Sequence, residues 1–252
     1  MKKLFWVFLV AAFLPVSARS REGDAALKLF EAAIEAMGGS DFLNVQDTVS
    51  TGNFFRFNRD GLSPLMKFTD YTRLPDKSRF ELGNKKRELE ITVFNLEKEE
   101  GWILEGQKEA KAATREEMRD FRNLVKHSME VLFRVRYKDP RNKLFHLGPG
   151  EGRDITLERV RLIDPDNDEV TVYFDRASGL PKKLEFREPD AAGVRQRVVH
   201  EFSQWHWIQG VRTSLRTDGY VNGRPAFQIH IIEIKYNSGL ADNLFSKPVP
   251  PK

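Results

Sequence analysis

Histidine and carboxylate side chains are the groups in this chain that could do chemistry, and the densest group lies near the C-terminal end. His200, Glu201 and His206 fall within one predicted strand. Two such histidines could begin a metal site, but a site needs a third ligand and supporting hydrogen bonds. The spacing matches no metal-binding motif. The sequence therefore favours solvent-side strand histidines, and it leaves a secreted enzyme that uses these residues as an alternative.

Two other segments resemble ligand-binding loops only superficially. Asp164, Asp166 and Asp168 are spaced like calcium ligands, yet Glu169 stands at the sixth position, where a calcium loop needs glycine. This segment is predicted to be a polar hairpin turn. The glycine-rich segment 148–152 lacks the lysine of a phosphate-binding loop. The chain has no cysteine and no serine-hydrolase, P-loop or zinc-protease motif. We therefore predict no enzyme, no metal and no cofactor.

Aromatic side chains are the stronger signal, because they occur on nearly every predicted strand. For any single one, packing in a core is the simpler explanation. Collectively they favour an apolar ligand cavity, because a curved sheet larger than its helices can fill leaves room for a ligand. Trp205 and Trp207 share a face of their strand and either line the cavity or form an outer docking patch. The candidate cavity residues are Phe54, Phe57, Phe68, Phe80, Phe94, Trp102, Met118, Phe121, Phe133, Phe174, Trp205 and Trp207.

Two amphipathic helices are predicted to cover this cavity. The first runs from Asp24 to Met37 with apolar residues on one face, and Gly38-Gly39 ends it. The second begins with a capping box, Thr114 to Glu117, and ends near Phe133. Methionines on the second helix suit a lid that must repack around different contents.

The rest of the chain alternates between strand patterns and turn signals. About five strands are predicted between Thr48 and Gly106, and about six between Lys143 and Tyr236. An antiparallel sheet of about 11 strands curls, and only the two helices can cover its inner face. The predicted fold class is α+β, mainly β: an unclosed antiparallel barrel with helices on its concave side.

The N-terminus has the pattern of a secretory signal peptide. Lys2 and Lys3 precede the apolar run Leu4 to Leu14, and Val16 to Ala18 fits a cleavage site. We therefore expect residues 1–18 to be removed near Ala18 and residues 19–252 to form one periplasmic domain. The two lysines leave with the signal, which lowers the formal charge from +4 to +2. A nearly neutral surface argues against binding nucleic acid.

Several segments, taken together and in order, resemble the LolA-like family of periplasmic outer-membrane lipoprotein-sorting and lipoprotein-carrier proteins. The residues that carry the resemblance are Gly38–Gly39 after the first helix, the turn and strand Pro75–Glu81, the hairpin at Gly101–Trp102, the turn Asp175–Pro181 and the C-terminal Tyr236–Pro248. The last of these contains a phenylalanine and is expected to close against the sheet.

This resemblance implies a function as well as a fold. It implies a helix-lidded half-barrel whose apolar cavity holds a lipoprotein acyl group, a lipid or another hydrophobic ligand. An inner-membrane donor and an outer-membrane acceptor would be its partners, and the protein would be a monomer. The family latches its lid with an arginine, and Arg73 and Arg79 are the nearest equivalents here. An envelope-stress sensor of the same fold that binds a partner protein, and a non-catalytic structural envelope protein, are the alternatives.

Overall fold

The described part of the chain forms one 14-stranded antiparallel sheet that does not close into a barrel. The computed structural model describes residues 21–58, 61–190 and 192–250, so the predicted signal peptide lies outside the described residues. Among the residues described, no helix is long and apolar enough to cross a membrane. The strands are β1 Asp47–Asn58, β2 Gly61–Leu62, β3 Met66–Arg73, β4 Lys77–Leu82, β5 Glu90–Asn95, β6 Glu100–Glu105, β7 Lys111–Ala112, β8 Lys143–Pro149, β9 Leu157–Ile163, β10 Glu169–Asp175, β11 Pro181–Pro189, β12 Arg195–Ile208, β13 Val211–Val221 and β14 Arg224–Tyr236.

The sheet consists of two meanders joined at their long strands. Its order is β7-β6-β5-β4-β3-β1-β14-β13-β12-β11-β10-β9-β8, with β2 paired to β1 beside this path. The pairing of β1 with β14 brings the two ends of the fold together. The strand count exceeds the predicted 11 mainly because β2 and β7 have two residues each, too few to show a periodic pattern.

Four α-helices within the described residues accompany the sheet, namely α1 Arg21–Ala36, α2 Ser40–Leu43, α3 Arg115–Lys126 and α4 Met129–Arg134. α1 includes the predicted start at Asp24 and ends where Gly38 and Gly39 adopt positive φ. The capping box of Thr114 and Glu117 is present at the start of α3. The predicted second helix is broken in two, because the Ser128 side chain accepts a hydrogen bond from the Val131 N–H and starts α4 as a new helix.

The main core lies between α1, α4 and the concave face of β8–β12. Phe30 of α1 is its centre: the ring is fully buried and lies 5.0 Å from Phe133, 5.4 Å from Tyr137 and 5.4 Å from Phe174. This half of the concave face is therefore filled by side chains. The helices α1 and α4 fill only this half of the concave face, so the middle of the sheet keeps space for a ligand.

A second, smaller core lies on the opposite, convex face of the sheet. Phe245 in the C-terminal segment is buried there with Val93 and Leu104, as expected of a tail that closes on the sheet. Arg73 forms an ion pair with Asp242, and its guanidinium lies 5.4 Å from the centre of the Phe245 ring. Arg73 thus contacts the C-terminal segment.

Candidate ligand pocket

A pocket of about 370 Å³ lies in the middle of the concave face, between the α3–α4 junction and strands β1, β3, β12, β13 and β14. This volume is at the lower end of the range of about 300–1,000 Å³ usual for small-molecule sites. Its walls are mainly apolar. The apolar lining residues are Met37, Phe42, Leu124, Met129, Phe202, Trp205, Val211, Phe227, Ile229, Ile231 and Ile234.

The floor of the pocket comes from alternate residues of β14. Phe227, Ile229 and Ile231 follow the two-residue period of a strand, so all three side chains point to the concave face. The register with β1 then shifts, and Ile232 is left over between Ile231 and Glu233. Ile232 is 65% exposed, whereas Ile234 returns to the pocket.

A row of aromatic rings extends from the pocket along the concave face. The Phe227 ring stacks at 6.1 Å on Phe54, Phe54 meets Phe80 at 6.4 Å, and Phe80 stacks at 5.6 Å on Phe68. Phe54 and Phe80 are only partly buried, so this row is available to a ligand. A Cβ on Gly219 would lie 2.2 Å from the Phe227 ring, which shows why glycine is needed beneath it.

Asp70 is an acidic side chain in this apolar wall. It lies on β3, opposite Ser50 on β1 and Phe80 on β4. Among the described residues its carboxylate has one hydrogen-bond donor, the Thr72 hydroxyl, at 3.2 and 3.4 Å. Burial raises the pKa of Asp70 to about 7; the Thr72 hydrogen bond works against this shift, and the negative charge of Glu130 adds to it. Asp70 is half-buried and has no cationic partner among the described residues, which makes it a candidate functional group.

Replacing Asp70 with asparagine should stabilise the protein at pH 8. The raised pKa means that stability from this group is full below about pH 4 and is lost as the pH rises through about 7. We expect Asp70→Asn to gain roughly 1–3 kcal/mol in unfolding free energy at pH 8 and little at pH 4. Urea unfolding at the two pH values measures this. An equal gain in unfolding free energy at both pH values would contradict the raised pKa of Asp70.

One of the two histidines that line the pocket, His200, is held in its neutral form. Burial lowers the pKa of His200 to about 4, and nearby His127 adds to the shift. The His200 ring lies between Phe186 at 5.3 Å and Phe227 at 5.4 Å. His200 therefore lies on the inner face, not on the solvent side as predicted, whereas His206 is exposed. No cluster of three or more potential metal ligands occurs among the described residues.

Two aspartates in the turn between β9 and β10 hold the α3–α4 lid. Asp168 Oδ2 lies 2.9 Å from His127 Nε2, 3.0 Å from Arg136 and 3.3 Å from Lys126. Asp164 pairs with Lys126 at 2.6 Å and Arg136 at 3.2 Å. Burial alone would raise the pKa of Asp168, but the His127 hydrogen bond and the neighbouring cations outweigh it and hold the pKa well below its usual value. We call these five residues the lid anchor.

The predicted site residues fall into distinct places. Trp205 lines the pocket, and its buried indole Nε1 has no hydrogen-bond partner among the described residues. The positive φ of Gln204 interrupts the strand just before it. Phe54, Phe68 and Phe80 form the aromatic row. Trp207 is 59% exposed, so the two tryptophans have different environments.

The remaining predicted cavity residues pack elsewhere. Phe121 of α3 stacks at 4.3 Å on Phe94, and Met118 meets the same strand pair at Gly101; together they attach α3 to the sheet. Phe133 and Phe174 are core residues around Phe30.

Three further predicted positions belong to the convex face. Trp102 packs there against the smaller core. In the two-residue alternation of β1, Phe57 points to the same convex face. Arg79 pairs with Glu81 at 2.7 Å on the same side. Among the described residues, Arg73 and Arg79, which were predicted to latch the lid, pair with Asp242 and Glu81 and not with α3 or α4.

The fold is that of the LolA-like proteins. A putative outer membrane lipoprotein-sorting protein domain from Vibrio parahaemolyticus matches 89% of this chain and 97% of its own, with 16% identity and a TM-score of 0.55. A DUF1329 family protein from Desulfovibrio piger matches 90% of this chain and 98% of its own, with 11% identity and a TM-score of 0.62.

A LolA superfamily protein from Nitrosomonas europaea gives 88% and 97% coverage, 11% identity and a TM-score of 0.55. No protein-family model matches the sequence. A search of the curated proteins also finds no match. The similarity to these proteins therefore lies in the fold. It confirms the LolA-like fold that the sequence predicted.

Proposed function

We propose that this protein is a periplasmic binding or carrier protein that holds a lipoprotein acyl group, a lipid or another hydrophobic ligand in its concave pocket. The observation that carries the proposal is the apolar pocket of about 370 Å³ beneath the α3–α4 lid. A structural protein with a filled interior would lack this space. Binding is by burial without bond formation, and each methylene that leaves water contributes about 0.8 kcal/mol.

The fold supports a carrier in outer-membrane lipoprotein sorting. A similar structure has the description of a putative outer membrane lipoprotein-sorting protein domain. Such a carrier would receive its ligand from an inner-membrane donor and pass it to an outer-membrane acceptor. Met129 on the lid and Met37 beside it suit this exchange, because methionine repacks readily when a ligand leaves.

Native mass spectrometry of the protein purified from periplasm, followed by organic extraction, tests this proposal. We expect a stoichiometric lipid or acylated protein in the extract. The matched variants are Ile229→Trp, which fills the pocket, and Ile232→Trp, which adds the same ring on the exposed side of the same strand. The first should lose the ligand and the second should keep it. An empty wild-type protein, or equal loading of both variants, would contradict the proposal.

A further inference from the structure

The pocket contains charges whose distribution favours one class of ligand head group. Its charged and titratable lining residues are Asp70, His127, Glu130, Arg134, His200, Arg212 and Tyr236. The two carboxylates are Asp70 on the sheet and Glu130 on the lid. The side chains of the lining that could neutralise them are the two arginines and His127, and His127 is paired with Asp168.

Both arginines are engaged with groups other than Asp70, and the charge of Glu130 acts on Arg134. Arg134 donates to the carbonyl oxygen of Val45 at 2.8 Å, and its guanidinium lies 4.3 Å from the centre of the Phe42 ring. The guanidinium of Arg212 lies 5.8 Å from the centre of the exposed Trp207 ring. Among the described residues neither one forms an ion pair with Asp70. The neutral His200 supplies no positive charge.

The surroundings of Asp70 suit an ammonium group. Its cross-strand neighbours are the Ser50 hydroxyl and the Phe80 ring, and Thr72 is its hydrogen-bond partner. An ammonium group here would donate to the Asp70 carboxylate as its counter-ion. It would also lie beside the aromatic row, whose ring faces attract positive charge. The isoleucines of β14 offer an apolar surface for a chain that continues from this head.

We propose that the pocket selects a single-chain amphiphile with a primary ammonium head, that Asp70 binds this head, and that β14 and the aromatic row hold the chain. This inference rests on the proposed function, because it names the ligand class of the same pocket. The volume of about 370 Å³ suits one alkyl chain better than several. Ligand binding would compensate the half-buried Asp70 carboxylate, which has no cationic partner in the part of the chain that the structure describes.

Isothermal titration calorimetry with three ligands of equal chain length tests the selection. Dodecylammonium, dodecanoate and neutral monolaurin are titrated below their critical micelle concentrations at pH 6 and pH 8. We expect dodecylammonium to bind at least about tenfold more tightly than monolaurin at pH 8, as one charge-assisted hydrogen-bonded pair predicts. Its affinity should fall at pH 6, where Asp70 becomes protonated.

Two variants separate Asp70 from the general charge of the protein. Asp70→Asn should bring dodecylammonium and monolaurin within about threefold of each other and remove most of the pH dependence of dodecylammonium binding, because it removes the carboxylate that pairs with the ammonium and leaves the other titratable pocket groups in place. Asp120→Asn removes an exposed carboxylate of α3 and should behave as wild type. Equal binding of the ammonium and neutral ligands, tighter binding of dodecanoate, or an unchanged Asp70→Asn variant would overturn this inference alone. Failure of all three ligands to bind would overturn the proposed function as well.

Discussion

Replacing Asp168 with alanine should cost about 3–5 kcal/mol of unfolding free energy at pH 7, one of the two largest effects that we expect in this protein. The variant removes the carboxylate that faces three cationic or potentially cationic side chains. Arg136 has 8% of its side chain exposed and His127 has 3%. Both would stay buried, with Asp164 paired to Arg136 and the charge of Glu188 acting on His127 as weaker compensation. Urea denaturation monitored by circular dichroism measures the loss.

Asp166 offers a matched control in the same turn. Its side chain is exposed and, among the described residues, has no hydrogen bond or ion pair with the lid anchor. The link to Asp164 runs through the Asp166 backbone N–H, which the variant keeps, so Asp166→Ala should change stability by less than about 0.5 kcal/mol. The lowered pKa of Asp168 gives a second check. Its contribution is present above about pH 4 and is lost as the pH falls further, so the two proteins should converge in acid. A loss below 1 kcal/mol at pH 7 would show that the anchor is not what holds the lid.

The features that local sequence determines were predictable. Gly38-Gly39 ends α1, and Thr114 with Glu117 caps α3, because both signals act within a few residues. Repeated turns separate strand patterns, which is why the sequence predicts a large antiparallel sheet. The resemblance then supplies its curvature and its lid. The break at Ser128 also had a local signal, a helix-capping side chain within an apolar stripe.

The site itself depends on contacts that local patterns do not determine. The sequence shows Trp102 and Phe94 as aromatic residues of one hairpin, but they lie on opposite faces of the sheet. Ile229 and Ile231 alternate visibly along the last strand, yet only the pairing of β14 with β1 places them at the centre of the concave face. The lid anchor joins residues 28 to 42 positions apart. A register error of one residue would have reversed each assignment.

The sequence does not tell aromatic residues of the core from aromatic residues of the ligand surface, but the stability and ligand affinity of variants should distinguish them. Phe30 is fully buried among three other rings. Phe30→Ala leaves a cavity that the core cannot fill, so we expect a loss of about 3–5 kcal/mol in unfolding free energy. Phe80 lies in the partly exposed row beside the pocket, and Phe80→Ala should cost only about 1–2 kcal/mol.

For ligand affinity we expect the opposite order, with a larger loss in Phe80→Ala than in Phe30→Ala. Phe80→Ala removes a ring from the surface offered to a chain, so the affinity for monolaurin should fall several-fold while the protein remains folded. Phe30→Ala, measured at a temperature where it is still folded, should bind nearly as wild type, because its ring lies on the filled half of the concave face. Urea unfolding and calorimetry on the same two variants measure both quantities. Parallel losses of stability and affinity in both would mean that the row and the core act as one packed unit, with no separate ligand surface.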